Sequence, residues 1–268
     1  MFAGFMTNTW IVATMVAVVA GFVGFFVVAR RSSFAAHVLP FAAFPGAAAA
    51  TLLGVSELLG LIVFAGLGVV GISTLGRNDR QEVATALCLV SLLALGTLFL
   101  SMTREYSQSI YALLFGEVLG ISTSQILPIA VTSVIAIGLM ALCFRPLLLD
   151  SISPELAATL GVSNRFWELL FLTVLALSTA MALPVVGALL VFSLMVGPAS
   201  AARSFTDRPL AAALLSVCIA VVTVWAAIAL SYLSNWPVGF FVGALGVLSY
   251  VSGRLYRVSP RRLSSNER

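Results

Sequence analysis

Long apolar runs follow one another along almost the whole 268-residue chain. Each is close to the roughly 20 residues a helix needs to cross a hydrocarbon core of about 30 Å. Only helices and closed barrels satisfy every backbone polar group in lipid, and these runs lack the period-2 alternation of barrel strands. The chain is therefore expected to be an all-α, polytopic membrane protein. Charge agrees, since 9% of residues are charged against about 25% in a soluble domain. A soluble enzyme, a disordered chain and a secreted disulfide scaffold are excluded.

Nine spans are expected: Trp10–Ala29, Val38–Leu53, Leu58–Leu75, Glu82–Met102, Ile126–Phe144, Phe166–Ala182, Val185–Ala202, Leu210–Leu230 and Val238–Val251. If the break at Met181–Pro184 makes one bent element of its two neighbours, the count is eight. All fourteen basic residues are arginines. With the N-terminus outside, thirteen fall on the cytoplasmic side, including Arg30, Arg31, Arg145, Arg165, Arg203 and Arg208, and only Arg104 falls outside. The reverse model violates the positive-inside rule, so N-out and C-in is expected.

The basic balance is thus topological, and no nucleic-acid partner is implied. Arg30 and Arg31 follow the first apolar run instead of preceding it, which reads as a retained span and not a cleaved signal. Residues 1–260 are expected to form one transmembrane domain, with Arg261–Arg268 a loose polar tail. Cys88, Cys143 and Cys218 sit in apolar runs at no metal-binding spacing, and are expected to be small buried hydrophobes.

One cytoplasmic loop carries structure of its own, Leu147–Arg165. Ser153 is a good N-cap, Pro154 suits the first helical position and Glu155 meets the positive end of the helix dipole. Gly161 supplies a left-handed stop. A short helix is expected from Pro154 to Leu160, with Leu156, Ala157 and Leu160 on one face. That face either packs against the bundle or plugs a groove on a soluble partner.

The stretch Ser153-Pro154-Glu155-Leu156-Ala157-x-x-Leu160-Gly161 resembles the coupling helix of permeases in the zinc/manganese/iron family of metal ABC importers. Val186–Val191 with Gly197–Ala202, the Leu114–Gly120 segment and the region from Arg31 to Ala47 are similar to further family stretches, in family order. The resemblance implies a type II-like ABC permease, working as a homodimer in the bacterial plasma membrane. Its partners would be a cytoplasmic ATP-binding subunit gripping residues 153–161 and an extracytoplasmic metal-binding protein. Nothing in the chain itself binds ATP, since it has no P-loop and no lysine. It is expected to be non-catalytic, with no cofactor.

Charged and polar groups at membrane depth are functional candidates. His37, the only histidine, is either bonded to a backbone carbonyl near the interface or a metal or proton contact on the translocation path. The family commonly places two ligand-type residues four apart here. This chain has His37 and then Phe41, which cannot ligate. Glu117, in the FGxxLG-like segment, is the second candidate ligand. Gly187, Gly197 and Pro198 punctuate the seventh span and are expected either to pack it tightly or to line a pore. Import of zinc or manganese by an ABC permease is the leading function. A stand-alone secondary transporter or channel, or a permease of the same architecture for a metal chelate, is the alternative.

Overall fold

The computed structural model describes residues 4–76, 81–102, 116, 121–153 and 164–264. These form ten α-helices: α1 (Gly4–Ala29), α2 (Ser33–Leu53), α3 (Glu57–Leu75), α4 (Gln81–Met102), α5 (Thr123–Leu142), α6 (Phe144–Ile152), α7 (Asn164–Val186), α8 (Ala188–Phe205), α9 (Pro209–Ser234) and α10 (Val238–Ser264). Eight are long and apolar enough to cross a membrane, and α8 contributes a shorter apolar stretch, Leu190–Phe205.

Burial divides the bundle into a centre and a rim. α1, α2 and α7 are mostly buried, whereas α3, α4, α5 and α10 leave most of their apolar surface open. On α3 the open residues Leu59, Val63, Leu67 and Val70 recur at helical spacing, as a lipid-facing side requires. Lipid tails are as apolar as leucine, so association inside the bilayer rests on close packing. Small residues supply it. Gly46 of α2 and Gly60 of α3 meet backbone to backbone, and Gly24 of α1 lies on the Met195 carbonyl of α8. The Ser216 hydroxyl of α9 donates to the Gly21 carbonyl at 2.7 Å.

Charges gather at one end. A cavity of about 350 Å³ is lined there by the ends of α1, α6 and α8, the start of α9, and Arg257 of α10. A neighbouring cavity of about 260 Å³ collects Arg30 and Arg31 of the α1–α2 turn, Glu82 of α4 and Glu168 of α7. At the opposite end Asn8 Nδ2 donates to Thr123 Oγ1 at 3.2 Å. Trp225 Nε1 donates to Thr14 Oγ1 at 2.9 Å.

Several boundaries differ from expectation. α2 begins at Ser33, five residues before the expected start, and runs through Pro40 and Pro45. α7 passes Met181–Pro184 unbroken and stops at Gly187, whose φ of 85° and ψ of 153° belong to a region open essentially to glycine alone. A nine-residue helix, α6, covers the end of the expected fifth span and the part of the Leu147–Arg165 loop that precedes the expected short helix. α10 continues to Ser264, so Arg261–Ser264 are helical. Of the cysteines, Cys88 is buried, Cys143 half-buried and Cys218 exposed on α9, which corrects the expectation that all three are buried.

Candidate functional site

His37 lies in the second turn of α2. Its neighbours Ala36, Val38 and Leu39 are fully buried, while His37 itself is exposed on the open side of the helix. Two rings flank the imidazole edge-on. Phe41, one turn along α2, has its centroid 5.4 Å away, and Phe192 of α8 lies at 5.1 Å. Among the described residues the ring takes no hydrogen bond. An imidazole held between aromatic walls with its nitrogens open is suited to meet a cation. Phe41 fills the i+4 position with a ring that cannot ligate, as the sequence indicated.

Among the described residues, no group of three or more His, Cys, Asp or Glu side chains could enclose a metal ion. Burial pushes the Cys143 thiol above its ordinary pKa, so it stays protonated and is a poor ligand.

The three small residues of the seventh expected span separate by role. Gly187 is the one-residue junction of α7 and α8. Its N–H donates to the Leu183 carbonyl at 2.9 Å, and its carbonyl accepts from Leu190 and Val191, each at 3.1 Å. Gly197 faces the Gly246 backbone of α10, with a would-be Cβ 3.0 Å from the Gly246 oxygen. Pro198 is buried. Gly116, with φ of 79°, abuts the Val185 and Val186 carbonyls beside the junction. This explains the glycine of the FGxxLG-like segment, because a side chain there would strike backbone. Glu117 lies outside the described residues.

The charged end holds residues that sequence reasoning did not single out. α1 closes with Ser32 N–H donating to Val27 O at 2.9 Å and Arg31 N–H to Val28 O at 3.3 Å, a Schellman pattern. Arg31 occupies the left-handed position, φ 55°, where glycine is usual. The turn directs Arg30 inward. Its Nη1 donates to Asp150 Oδ2 at 2.6 Å, with side-chain exposures of only 10% and 3%, and its guanidinium lies 5.3 Å from the Phe171 ring centroid. Asp150 Oδ1 is buried and, among the described residues, accepts no hydrogen bond. Taking such a pair out of water costs several kcal/mol per ion before their attraction offsets it. Nothing local in the sequence marks partners 120 residues apart.

Asp150 stands three residues before Ser153. Ser153 ends α6, its N–H donating to Leu149 O at 2.9 Å, with φ of −146°. The other expected coupling residues, Pro154, Glu155, Leu156, Ala157, Leu160 and Gly161, lie outside the described residues.

The sequence profile of the ABC 3 transport family matches residues 3–256. The manganese import system permease protein ScaB of Streptococcus parasanguinis is 28% identical over 237 residues, covering 88% of this chain and 84% of that protein. The manganese transport system membrane protein MntC of Listeria monocytogenes is 26% identical over 266 residues, covering 98% and 95%. In solved structures, a chain of PsaBC from Streptococcus pneumoniae in complex with Fab superposes with a TM-score of 0.85, at 24% identity, over 94% of this chain and 91% of that one.

Proposed function

The chain belongs to the ABC 3 transport family, and on that premise we propose that it is the membrane-spanning permease of an importer for a divalent metal ion. It is a multi-pass, non-catalytic subunit driven by a separate ATPase. The observation that carries the metal reading is its similarity to manganese permeases over most of both chains. His37 adds the chemistry, an unbonded imidazole on the open side of α2. Manganese is favoured over zinc, because zinc prefers several imidazole or thiolate ligands and the described residues offer one histidine and no thiolate set.

We read α8 as a ninth crossing, because α7 starts and α8 ends at the charged end. The arginine count then places that end in the cytoplasm, N-out and C-in. The working unit is a homodimer, in which the open face of α2 meets its counterpart and two His37 side chains border one path. Glu117 is a second contact for the ion. Gly187, Gly197 and Pro198 shape α8, which carries Phe192 along that path. Residues Ser153, Pro154, Glu155, Leu156, Ala157, Leu160 and Gly161 dock into the ATPase at the cytoplasmic end. An extracytoplasmic metal-binding protein delivers the ion to the other.

The test is uptake of radioactive manganese and zinc into proteoliposomes holding the chain with its ATPase and binding-protein partners. ATP-dependent accumulation of manganese is expected. An assembled complex that accumulates neither ion refutes the reading.

A further inference from the structure

We propose that Arg30 and Asp150 are positioning residues that carry movement of the ATPase-docking segment to α1, and through α1 to the His37–Phe192 contact. The proposal rests on the reading of residues 153–161 as the docking segment.

The helix that precedes this segment is mounted on α1 at two points. At one end of α6, Phe144 stands among Phe22, Phe25 and Phe26 of α1, with ring centroids 6.2, 6.2 and 5.2 Å away. Towards its other end, the Asp150 carboxylate takes the Arg30 guanidinium at 2.6 Å. Leu147 and Asp150 are the buried residues of this short helix, so one of its two anchors into the bundle is a charge. Arg30 also lies over Phe171 of α7, the first helix after the docking segment. One guanidinium thus touches both elements that the segment joins.

From Arg30 the route continues through packed backbone. Six residues back along α1, Gly24 sits on the Met195 carbonyl of α8, with no side chain between the helices to absorb a displacement. Phe192, one turn from Met195, forms a wall of the His37 site. A shift delivered at Asp150 therefore reaches that wall through two rigid helices. The pair is also built unlike a purely structural one. Burying an ion pair is commonly no more stabilising than packing apolar side chains of similar size. Here the carboxylate is also left with a buried, unpaired Oδ1. That oxygen is an open acceptor, which a second guanidinium N–H can take up when α6 moves against α1. Movement of α6 against α1 would thereby give the pair a second arrangement, which a transmitting contact requires.

The experiment uses the full transporter in proteoliposomes and reads ATP hydrolysis and metal uptake together. Two variants are compared with the parent: Asp150→Asn, and Arg30→Met combined with Asp150→Leu. In the double variant apolar packing replaces the charges, which keeps the permease folded even where Asp150→Asn fails to accumulate. Both are expected to co-purify with the ATPase and hydrolyse ATP at the parental rate, while uptake per ATP falls about tenfold. Parental uptake per ATP in the double variant overturns the proposal, because the pair is then only packing. A parent complex without ATP-driven uptake refutes the underlying function instead, so the two failures are distinguishable.

Discussion

Replacing Gly24 with alanine places a methyl group against the backbone of α8. The new Cβ would stand 2.8 Å from the Met195 carbonyl carbon and 3.0 Å from its Cα. Non-bonded carbons settle at about 3.5–4.0 Å, so α1 and α8 must part by roughly 1 Å at this crossing. Over-packing of that kind costs about 1–3 kcal/mol. Alanine's better helix propensity offsets part of it, by about 1 kcal/mol, so a control that isolates propensity is needed. Gly138 of α5 serves, since a Cβ there meets nothing within 4 Å. Gly138→Ala gains the propensity without the clash. The two variants are therefore expected to differ by about 1–3 kcal/mol. At about 2–4 °C per kcal/mol for a chain of this size, Gly24→Ala should melt several degrees below Gly138→Ala in detergent, followed by the fluorescence of a fused reporter. Equal melting temperatures would refute the claim that α1 and α8 touch backbone to backbone. They would also remove a step from the route between the ATPase and the cation path.

Three further outcomes follow from the site and its topology. His37→Ala should lower manganese uptake about tenfold, the scale of a disturbed metal contact, while Phe41→His should increase metal retention by completing an i, i+4 pair; full uptake by His37→Ala would make the histidine structural. Leu156→Asp or Leu160→Asp should leave the permease inserted and separate ATP hydrolysis from uptake, and normal transport by both would reduce that segment to packing. A reporter fused after Arg268 should be active only in a cytoplasmic format, and activity in a periplasmic format would invert the proposed orientation.

What the sequence made legible is what the bilayer dictates. Apolar length located every long helix, because a span cannot hide in lipid. Boundaries were less legible where proline and glycine were weighed as in soluble helices. Pro184 looked like a breaker, yet α7 absorbs it, since neighbouring groups in a bundle satisfy the freed carbonyl. The break falls at Gly187, where φ of 85° demands glycine, and a helical pattern does not show which glycine has a positive φ. α6 escaped notice because nine residues holding Arg145, Pro146 and Asp150 carry no span-like signal. The meeting of His37 with Phe192 and that of Arg30 with Asp150 are long-range products of packing. Of these four residues only His37 drew attention beforehand, as the sole residue of its type.

The placement of α8 has a consequence for how the chain is made. This helix has an apolar stretch of only sixteen residues, Leu190–Phe205, and packs against α1 and α2 before it in the chain and against α9 and α10 after it. A single residue, Gly187, joins it to α7, so the two leave the ribosome as one hairpin with no loop to separate their insertion. The walls contributed by α9 and α10 do not yet exist when α8 emerges. Its berth is completed only once α10 has been synthesised, and a nascent chain stopped short of Val238 leaves the Gly197 face of α8, which Gly246 should cover, open to lipid. Packing around α8 is thereby deferred until α10 has emerged.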